Sequence, residues 1–542
     1  MGRELNNLVD SAAKCSSTVT IVLRQPTTPA GSPAGSTVAA GSHNQPERSP
    51  AMTKRQGENL EQRDAKRRSE SSRDDSRTPL TVLANRLPLY IDANQQWQQS
   101  PGGLAKVLCS VLTVPNDLWI GFSGRGSSTD ADKRTALPSG TTGAKCIELH
   151  IEEKDYKNYY EGFCNNTLWP LYHNTIIKPT RWRGDFDSYC RVNSLFAEQA
   201  ARIAPLAGTV WIHDYHLQLV PKILRELRPD LKIGFFLHIP FPDISHLKHL
   251  PEARELLLGL MGADLIGTQT NDHARNFLTL VRDELNLSAD GPVIHFDRQE
   301  PARAIHVKAF PIGIGAQPEA RSQQEESEII QDIRNRASSR GHNHLLLSVD
   351  RLDHTKGIVQ RLNAIGELLS SGQLDPQATC FVQAVQLSRE NLHSYHALKN
   401  EIEQLANKIN QDYRNLDRPP IHYLCRNLNE EELHQLYRSA DIMIVTPFQD
   451  GMNIVSKEYV AAHGDGTGAL VLSKHAGSAQ QLHDAWLVDP FSIDDIKRGI
   501  LAALHASDET KSARMLAMYK EVTTRDARWW AQSFLEQLGT SI

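Results

Sequence analysis

Polar and charged side chains recur in this sequence where apolar runs stop. "TVLANR" ends on Arg86, "VWIHDYH" runs out through His213, Asp214 and His216, "GFFLHI" carries His238, "LLLSVDR" ends on Arg351, and "IMIVTPFQDG" delivers Asp450. Arg351 and Lys356 flank a short turn in "SVDRLDHTKGIVQRL". A planar guanidinium and a point-charge ammonium on the two sides of such a turn can grip a diphosphate. Equally, Arg351 can form a surface salt bridge with Asp350 or Asp353. Gly102 and Gly103 open the helical stretch "GGLAKVL", whose free N–H groups and dipole favour a phosphate, with Arg86 upstream. Most Gly pairs, however, are simply tight turns.

His213 and His216 are two metal-type ligands without the rest of an HExxH-like set, and with Asp214 they also suit hydrogen bonds to sugar hydroxyls. Tyr160 and Trp169, in "YYEGFCNNTLWPLYH", present faces that pack on sugar rings or on an ordinary core. In "TPFQDGMNIVSKEYVAA" a strand, a turn and a helix follow one another, with Ile454 and Glu458 on one helical face at i and i+4. Glu458 is then either an ion-pair partner for Lys457 or a nearby arginine, or an acceptor for the two hydroxyls of a ribose. In the second case the turn amides face phosphate or sugar and Asp450 holds a sugar hydroxyl.

The elements that position these residues read as α/β. Ten nearly apolar runs, "TVLANR", "DLWIGFSG", "TVWIHDYH", "KIGFFLHI", "DLIGTQT", "HLLLSVD", "TCFVQAV", "IHYLC", "IMIVTPF" and "ALVLSK", have the pattern of parallel strands buried on both faces. Helical segments such as "VQRLNAIGELL" alternate with them. This many strands exceeds one open parallel sheet, so two Rossmann-like domains are expected, joined through "AFPIGIGAQ" (309–317). Ligands then belong at the strands' C-terminal edges, in a deep interdomain cleft. The chain has no GxxxxGK[ST] loop and no GxGxxG after an early strand, which disfavours a P-loop nucleotidase and a nucleotide-dependent oxidoreductase.

Composition agrees with an intracellular, soluble, two-domain protein. The 542 residues are 40% hydrophobic, and 59 basic against 64 acidic residues leave a net charge of −5, which points to neither nucleic acid nor membrane as a partner. Seven scattered cysteines without a CxxC pair suit a reducing compartment without structural zinc. Residues 1–78 are Pro/Gly/Ser/Thr-rich and then mixed-charge, and are expected to be a disordered tail. Lys54-Arg55 with Lys66-Arg67-Arg68 fits either a two-part nuclear import signal or a solvated tail, and Met52 offers an alternative start.

Taken in order, "ANRLP", "GGLAKVL", "LWIGFSG", "YYEGFCNNTLWP", "YCRVNSLFA", "VWIHDYHLQLVP", "GFFLHIPFP", "DLIGTQT", "VDRLDHTKG", "SREN", "TPFQDGMNIVSKEYVAA" and "VLSKHAGSAQQL" resemble the trehalose-6-phosphate synthase family from about residue 80 onward. The resemblance implies a GT-B fold with a first, acceptor-binding domain at 79–312 and a nucleotide-sugar-binding domain at 313–525. A C-terminal helix within 526–542 would pack back on the first domain. It implies retaining transfer of glucose from UDP-glucose to glucose 6-phosphate, by front-face substitution through an oxocarbenium-like state, in the cytoplasm. UDP-glucose is then a substrate and no cofactor or metal is required; a homo-oligomer, dimer or tetramer, is compatible with the sequence, which does not give the oligomeric state.

Residue by residue, the resemblance places Gly102, Gly103, Arg351, Lys356, Leu428, Ile454, Val455 and Glu458 on the donor. Arg86, Tyr160, Trp169, Asp214 and Arg389 fall on the acceptor, and His238 and Asp450 lie beside the reacting carbon. Arg351 and Lys356 become the groups that stabilise charge on the leaving diphosphate. This chain has Gln449, His354 and Phe122 where the family often has Arg, Tyr and Trp. "GDGTG" at 464–468 lacks the DxDx[TS] form of a phosphatase motif, and no fused phosphatase domain is expected. Other readings are a sister transferase with another acceptor, such as glucosylglycerol phosphate synthesis, or a non-catalytic regulatory relative.

Overall fold

The computed structural model describes residues 79–91, 97–100, 103–123, 142–174, 184–248, 250–296, 302–315, 344–386, 393–416 and 418–540. The 1–78 tail, with its basic clusters and Met52, and two site candidates, Gly102 and Arg389, lie outside the described residues.

The chain from residue 79 opens with β1 (Leu80–Arg86), then a short antiparallel hairpin of β2 (Leu89–Ile91) and β3 (Trp97–Gln99). There follow β4 (Leu118–Phe122), β5 (Lys145–Glu148), β6 (Thr209–His213), β7 (Lys232–Phe236), β8 (Leu265–Thr268), β9 (Ala289–Asp290), β10 (Val293–Phe296) and β11 (Arg303–Ala309). Except for the hairpin, these make one nine-stranded sheet in the order β5-β4-β1-β6-β7-β8-β11-β10-β9, antiparallel only at its β10 and β9 end. The later strands are β12 (His344–Arg351), β13 (Thr379–Gln386), β14 (Ile421–Cys425), β15 (Ile442–Val445), β16 (Ala469–Ser473) and β17 (Trp486–Val488). They form a six-stranded parallel sheet in the order β14-β13-β12-β15-β16-β17.

The two orders share a plan. In each sheet the first strand sits centrally and the chain reverses its direction of travel beside it, between β1 and β6 and between β12 and β15. That reversal leaves a crevice at the strands' C-terminal ends, where doubly wound sheets bind ligands. Arg86, His213, Arg351 and Asp450 all fall at these two switch points.

All ten apolar runs read as strands are strands, because burial on both faces leaves no polar alternation; every residue of β6, β15 and β16 is buried. The strands that the sequence did not announce are short or half-exposed: β5 reads KCIE, and β11 alternates buried and exposed positions at the sheet's antiparallel end.

The helices that bear on the site are α1 (Gly103–Val111), α2 (Ile358–Ser370), α3 (Ile454–Ala462), α4 (Asp508–Thr524) and α5 (Ala527–Gln537). The chain passes between the sheets through residues 310–315, which form neither helix nor strand, and returns at residues 525–526. The two crossings touch: Ala527 N–H donates to the Ile314 carbonyl at 2.9 Å, and a Cβ on Gly313 would lie 2.2 Å from the Asp526 carbonyl carbon.

Helix α5 then packs on the first sheet. Trp530 lies 4.9 Å from Trp211 and 5.1 Å from Phe236, and Phe534 stacks on Trp211 at 4.9 Å. Glycines make the room: a Cβ on Gly234 of β7 or Gly267 of β8 would meet the Phe534 ring at 2.7 Å. Burying a ring such as Phe534 contributes about 1.5–3 kcal/mol, so α5 belongs to this core. Among the described residues no helix is long and apolar enough to cross a membrane.

Candidate active site

In the second sheet the β12–α2 turn is held from beneath by Arg361, fully buried on α2. Its guanidinium donates to Asp350 at 2.6 Å, to Thr446 at 3.1 Å and to the Lys356 carbonyl at 2.7 Å. The Asp350 carboxylate, one of the two partners open to Arg351 as a salt bridge, is therefore taken by Arg361. Asp353 is occupied too, accepting from Thr355 N–H and the Thr355 hydroxyl at 3.0 and 2.8 Å and from the Tyr395 hydroxyl at 3.2 Å. The Arg351 guanidinium instead lies over the Trp169 ring, 5.2 Å from its centroid. Lys356, fixed by this turn, places Nζ 2.6 Å from Asp450 Oδ2.

Asp450 is strapped by its backbone to the 475–477 segment, donating to the His475 carbonyl at 3.2 Å and accepting from Gly477 N–H at 3.1 Å. Burial, the largest influence, would raise its carboxyl, but Lys356 together with His173 and Asn453 holds it below the usual carboxylate range. Asn453 completes the turn: with φ of 80°, it donates to Asp450 at 3.2 Å and caps α3 by accepting from Ser456 N–H at 2.9 Å. The first N–H groups of α3, at Ile454 and Val455, have no partner within the helix. Glu458 lies further along α3, partly buried with its side chain 15% exposed, where burial pushes its carboxyl up. Its Oε2 accepts from the Tyr437 hydroxyl at 3.2 Å, and Lys106 Nζ is 3.9 Å from Oε1. Lys457 is not its partner, since its Nζ is bonded to the Ile312 carbonyl and Gln481 instead. Leu428 puts its side chain into the core with Tyr437 and Tyr459.

The first sheet supplies the other wall. A π-helical segment, Lys157–Leu168, carries Tyr160. The Arg86 guanidinium sits over the Tyr160 ring at 5.1 Å and donates to the Tyr156 hydroxyl at 3.3 Å. Tyr160 continues a ladder from Phe122 through Tyr156 to His216, with ring separations of 4.5, 5.1 and 5.8 Å. His216 is thus part of an aromatic stack, while His213 Nδ1 lies 3.0 Å from His238 Nε2; the two histidines do not converge as a ligand pair.

Asp214 adopts φ 75° and ψ 167°, a conformation that costs a non-glycine residue energy and concentrates at functional sites. Its carboxylate accepts the His238 N–H at 3.1 Å, and burial raises its pKa to about 6. His238 is held neutral by burial, its pKa lowered to about 3.

These two walls meet. Trp169 Nε1 donates to Asp353 at 3.4 Å, Asn174 donates to Gln449 at 2.8 Å, and Lys106 of α1 reaches Glu430 at 3.5 Å as well as Glu458. A Cβ on Gly103 would stand 2.5 Å from Ile454 Cδ1, and one on Gly451 would stand 2.1 Å from the His238 carbonyl oxygen. The N-termini of α1 and α3 therefore face each other, with Gly103 and Gly451 as the points of closest approach. Pairwise contacts join the site residues along and across the two walls: Arg86 to Tyr160, Arg351 to Trp169, Asp214 to His238, Lys356 to Asp450, and Gly451 against His238.

Sequence reasoning missed Lys106, Asn174, Tyr437 and Asn453. Asn453 carried a readable signal, an Asn three residues ahead of Ser456 at a helix start. The others make contacts across long sequence separations that no local pattern records.

Twin sheets of matching strand order, with cations and carboxylates gathered at the facing strand ends, are the GT-B arrangement of nucleotide-sugar glycosyltransferases. The model of glycosyltransferase family 20 matches residues 77–540, and the chain belongs to that family. It is 40% identical over 484 residues to a trehalose-6-phosphate synthase of Mycolicibacterium gilvum, covering 86% of this chain and 94% of the relative. It is 41% identical over 471 residues to the Mycobacterium tuberculosis H37Rv enzyme of that name, covering 84% and 94%.

Among solved structures it is similar to the UDP-forming alpha,alpha-trehalose-phosphate synthase of Burkholderia vietnamiensis, with a TM-score of 0.75 and 30% identity over 85% of this chain and 98% of that one. An Escherichia coli structure bound with UDP-2-fluoro glucose gives a TM-score of 0.74 and 28% identity, over 86% and 100%. A Burkholderia xenovorans synthase in complex with glucose-6-phosphate gives 0.74 and 32%, over 85% and 100%.

Proposed function

We propose that this cleft works as follows in a trehalose-6-phosphate synthase, which transfers glucose with retention from UDP-glucose to glucose 6-phosphate and releases UDP. Residues 79–312 bind the acceptor and 313–525 the donor, with 526–542 returning to the first domain. Glu458 accepts the ribose hydroxyls, the Ile454 and Val455 amides and the main chain at Leu428 meet the nucleotide, and Gly102 and Gly103 let backbone approach the donor. Arg351 and Lys356 hold the diphosphate. Asp450 and His238 contact the glucose near C1. Arg86, Tyr160 and Arg389 clamp the acceptor phosphate, and Trp169 and Asp214 position its sugar.

The carrying observation is the Lys356–Asp450 pair at 2.6 Å beneath a wall where Arg351 overlies Trp169. One pair of strand ends thus offers cations for a leaving diphosphate and a carboxylate for the sugar it leaves. As the C1–O bond to the diphosphate breaks, charge grows on the phosphate oxygens opposite Arg351 and Lys356, where preorganised cations stabilise the transition state most. The incoming hydroxyl passes its proton to a leaving phosphate oxygen on the same face. His238, neutral at physiological pH, acts as a hydrogen-bonding group and not as a general acid. The protein is expected to be cytoplasmic and a dimer or tetramer, which light scattering on the purified chain would measure.

The test supplies UDP-glucose with glucose 6-phosphate, and glycerol 3-phosphate as a parallel acceptor, and measures UDP release and product identity. Trehalose 6-phosphate is expected with the first acceptor. Release only with glycerol 3-phosphate would overturn the acceptor assignment, and no turnover would favour a regulatory relative.

A further inference from the structure

Lys457 has no part in the site described above, yet it is 1% exposed and sits one residue before Glu458. Burial lowers the pKa of its amine to about 7, and a buried amine in either form persists only if its hydrogen bonds are made. Lys457 Nζ donates to the Ile312 carbonyl at 2.5 Å and to Gln481 Oε1 at 2.6 Å. Ile312 lies in the 310–315 crossing between the sheets. The N–H of the same residue donates to Gln269 Oε1 at 3.0 Å, and Gln269 follows β8 in the first half. Both polar groups of Ile312 are therefore held by side chains, one from each half of the molecule. On the first side the chain of contacts continues to His238, whose Nδ1 is 3.5 Å from Gln269 Nε2. On the second it continues through Gln481, which donates to Glu521 of α4 at 3.0 Å, and through Glu521 to Arg525 at 2.8 Å, beside the returning crossing.

We propose that Lys457 is a positioning residue for glycosyl transfer: it fastens the crossing at Ile312 to the helix carrying Glu458, and so fixes the register between the donor helix and His238. This rests on the functional reading above. Most of the UDP contacts proposed above (Glu458, Ile454, Val455, Leu428, Arg351 and Lys356) come from the second half, whereas transfer needs His238 and the acceptor wall set to within a fraction of an ångström of the donor. Loss of the clasp should thus separate nucleotide affinity from turnover, a split that simple loss of structure does not give.

The test is Lys457→Met in the full chain, which keeps the apolar stem and removes the ammonium. UDP affinity by calorimetry is expected to stay within about threefold of wild type, while kcat falls by about tenfold or more. Hydrogen exchange of the peptide spanning 310–315 is expected to accelerate. A kcat within about twofold of wild type, parallel loss of UDP affinity and kcat, or unchanged exchange would each overturn the proposal. Should Lys457→Met fail to fold, Gln481→Leu, which removes one of the two acceptors, decides: faster 310–315 exchange with kcat lowered about threefold supports the clasp, and no change in either refutes it. Wild-type protein that does not turn over UDP-glucose would defeat the functional reading instead, and the exchange measurement would still judge the clasp.

Discussion

Replacing Lys356 by Met removes the ammonium 2.6 Å from Asp450, in a pair whose side chains are only 9% and 16% exposed. Breaking a buried ion pair from one side costs about 3–5 kcal/mol, because the remaining charge is stranded. Asp450 keeps the Asn453 amide at 3.2 Å and a little solvent, so the lower end, about 3 kcal/mol, is expected. The double variant Lys356→Met/Asp450→Asn removes both charges and should recover most of that stability. Activity should not follow: without the cation facing the leaving diphosphate, kcat falls by about 10²–10³ in the single variant and stays at least as low in the double.

The pH dependence has a definite sign. Lys356 holds the Asp450 carboxyl below its ordinary value, so the pair's stabilisation is full above the ordinary carboxylate pKa and is lost as pH falls through the lower folded value. Without Lys356, burial raises that carboxyl, so the deficit of the single variant should shrink between pH 8 and pH 5 as Asp450 takes up a proton. Thermal melts at both pH values and a UDP-release assay measure the two effects. Wild-type stability in Lys356→Met, or activity restored in the double variant, would refute the assignment of this pair to the leaving group.

Three further outcomes are expected. Arg351→Ala should lower turnover by about 10²–10³ with a normal circular dichroism spectrum and a small change in Tm, since its described contact is a single cation–π contact worth about 1 kcal/mol; near-normal activity would remove it from the diphosphate. Gly103→Ala puts a methyl 2.5 Å from Ile454 Cδ1 and should raise KM for UDP-glucose more than it lowers kcat, as steady-state kinetics would report. Asp214, raised by burial to about 6, becomes protonated below that pH and loses an acceptor for sugar hydroxyls, so kcat/KM for glucose 6-phosphate should fall there. The substrate phosphate also titrates near pH ~6, and Asp214→Asn separates the two: any inflection it retains belongs to the substrate.

The fold was legible because parallel strands buried on both faces leave unbroken apolar runs, and because site residues of α/β proteins stand where those runs end. Arg86, Asp214, Arg351 and Asp450 could be found that way. The ion-pair partners could not. Arg361 looked like any basic residue of an amphipathic helix, and only the fold reveals that it is buried and takes Asp350, freeing Arg351. Lys457 and Glu458 are adjacent in sequence and were natural candidates to pair, but neighbours on a helix point about 100° apart, and each found its partner elsewhere. Gly234 and Gly267 are isolated glycines within strand patterns, and only the fold shows that the segment approaching them is α5.

Helix α5 has a consequence for the order in which the protein is made. The first sheet is complete in sequence at Ala309, but the ring that covers Trp211 and lies 5.8 Å from His238 is Trp530. At ~5–20 residues per second, the ribosome needs roughly 10–45 s to travel from the one to the other. Through that interval the first half carries an uncovered strip of Trp211, Phe236, Gly234 and Gly267, and His238 lacks the neighbour that keeps it dry. The first half is therefore finished only after the second half has been synthesised. A nascent chain stalled anywhere between would display that strip to chaperones, so the site matures as a unit.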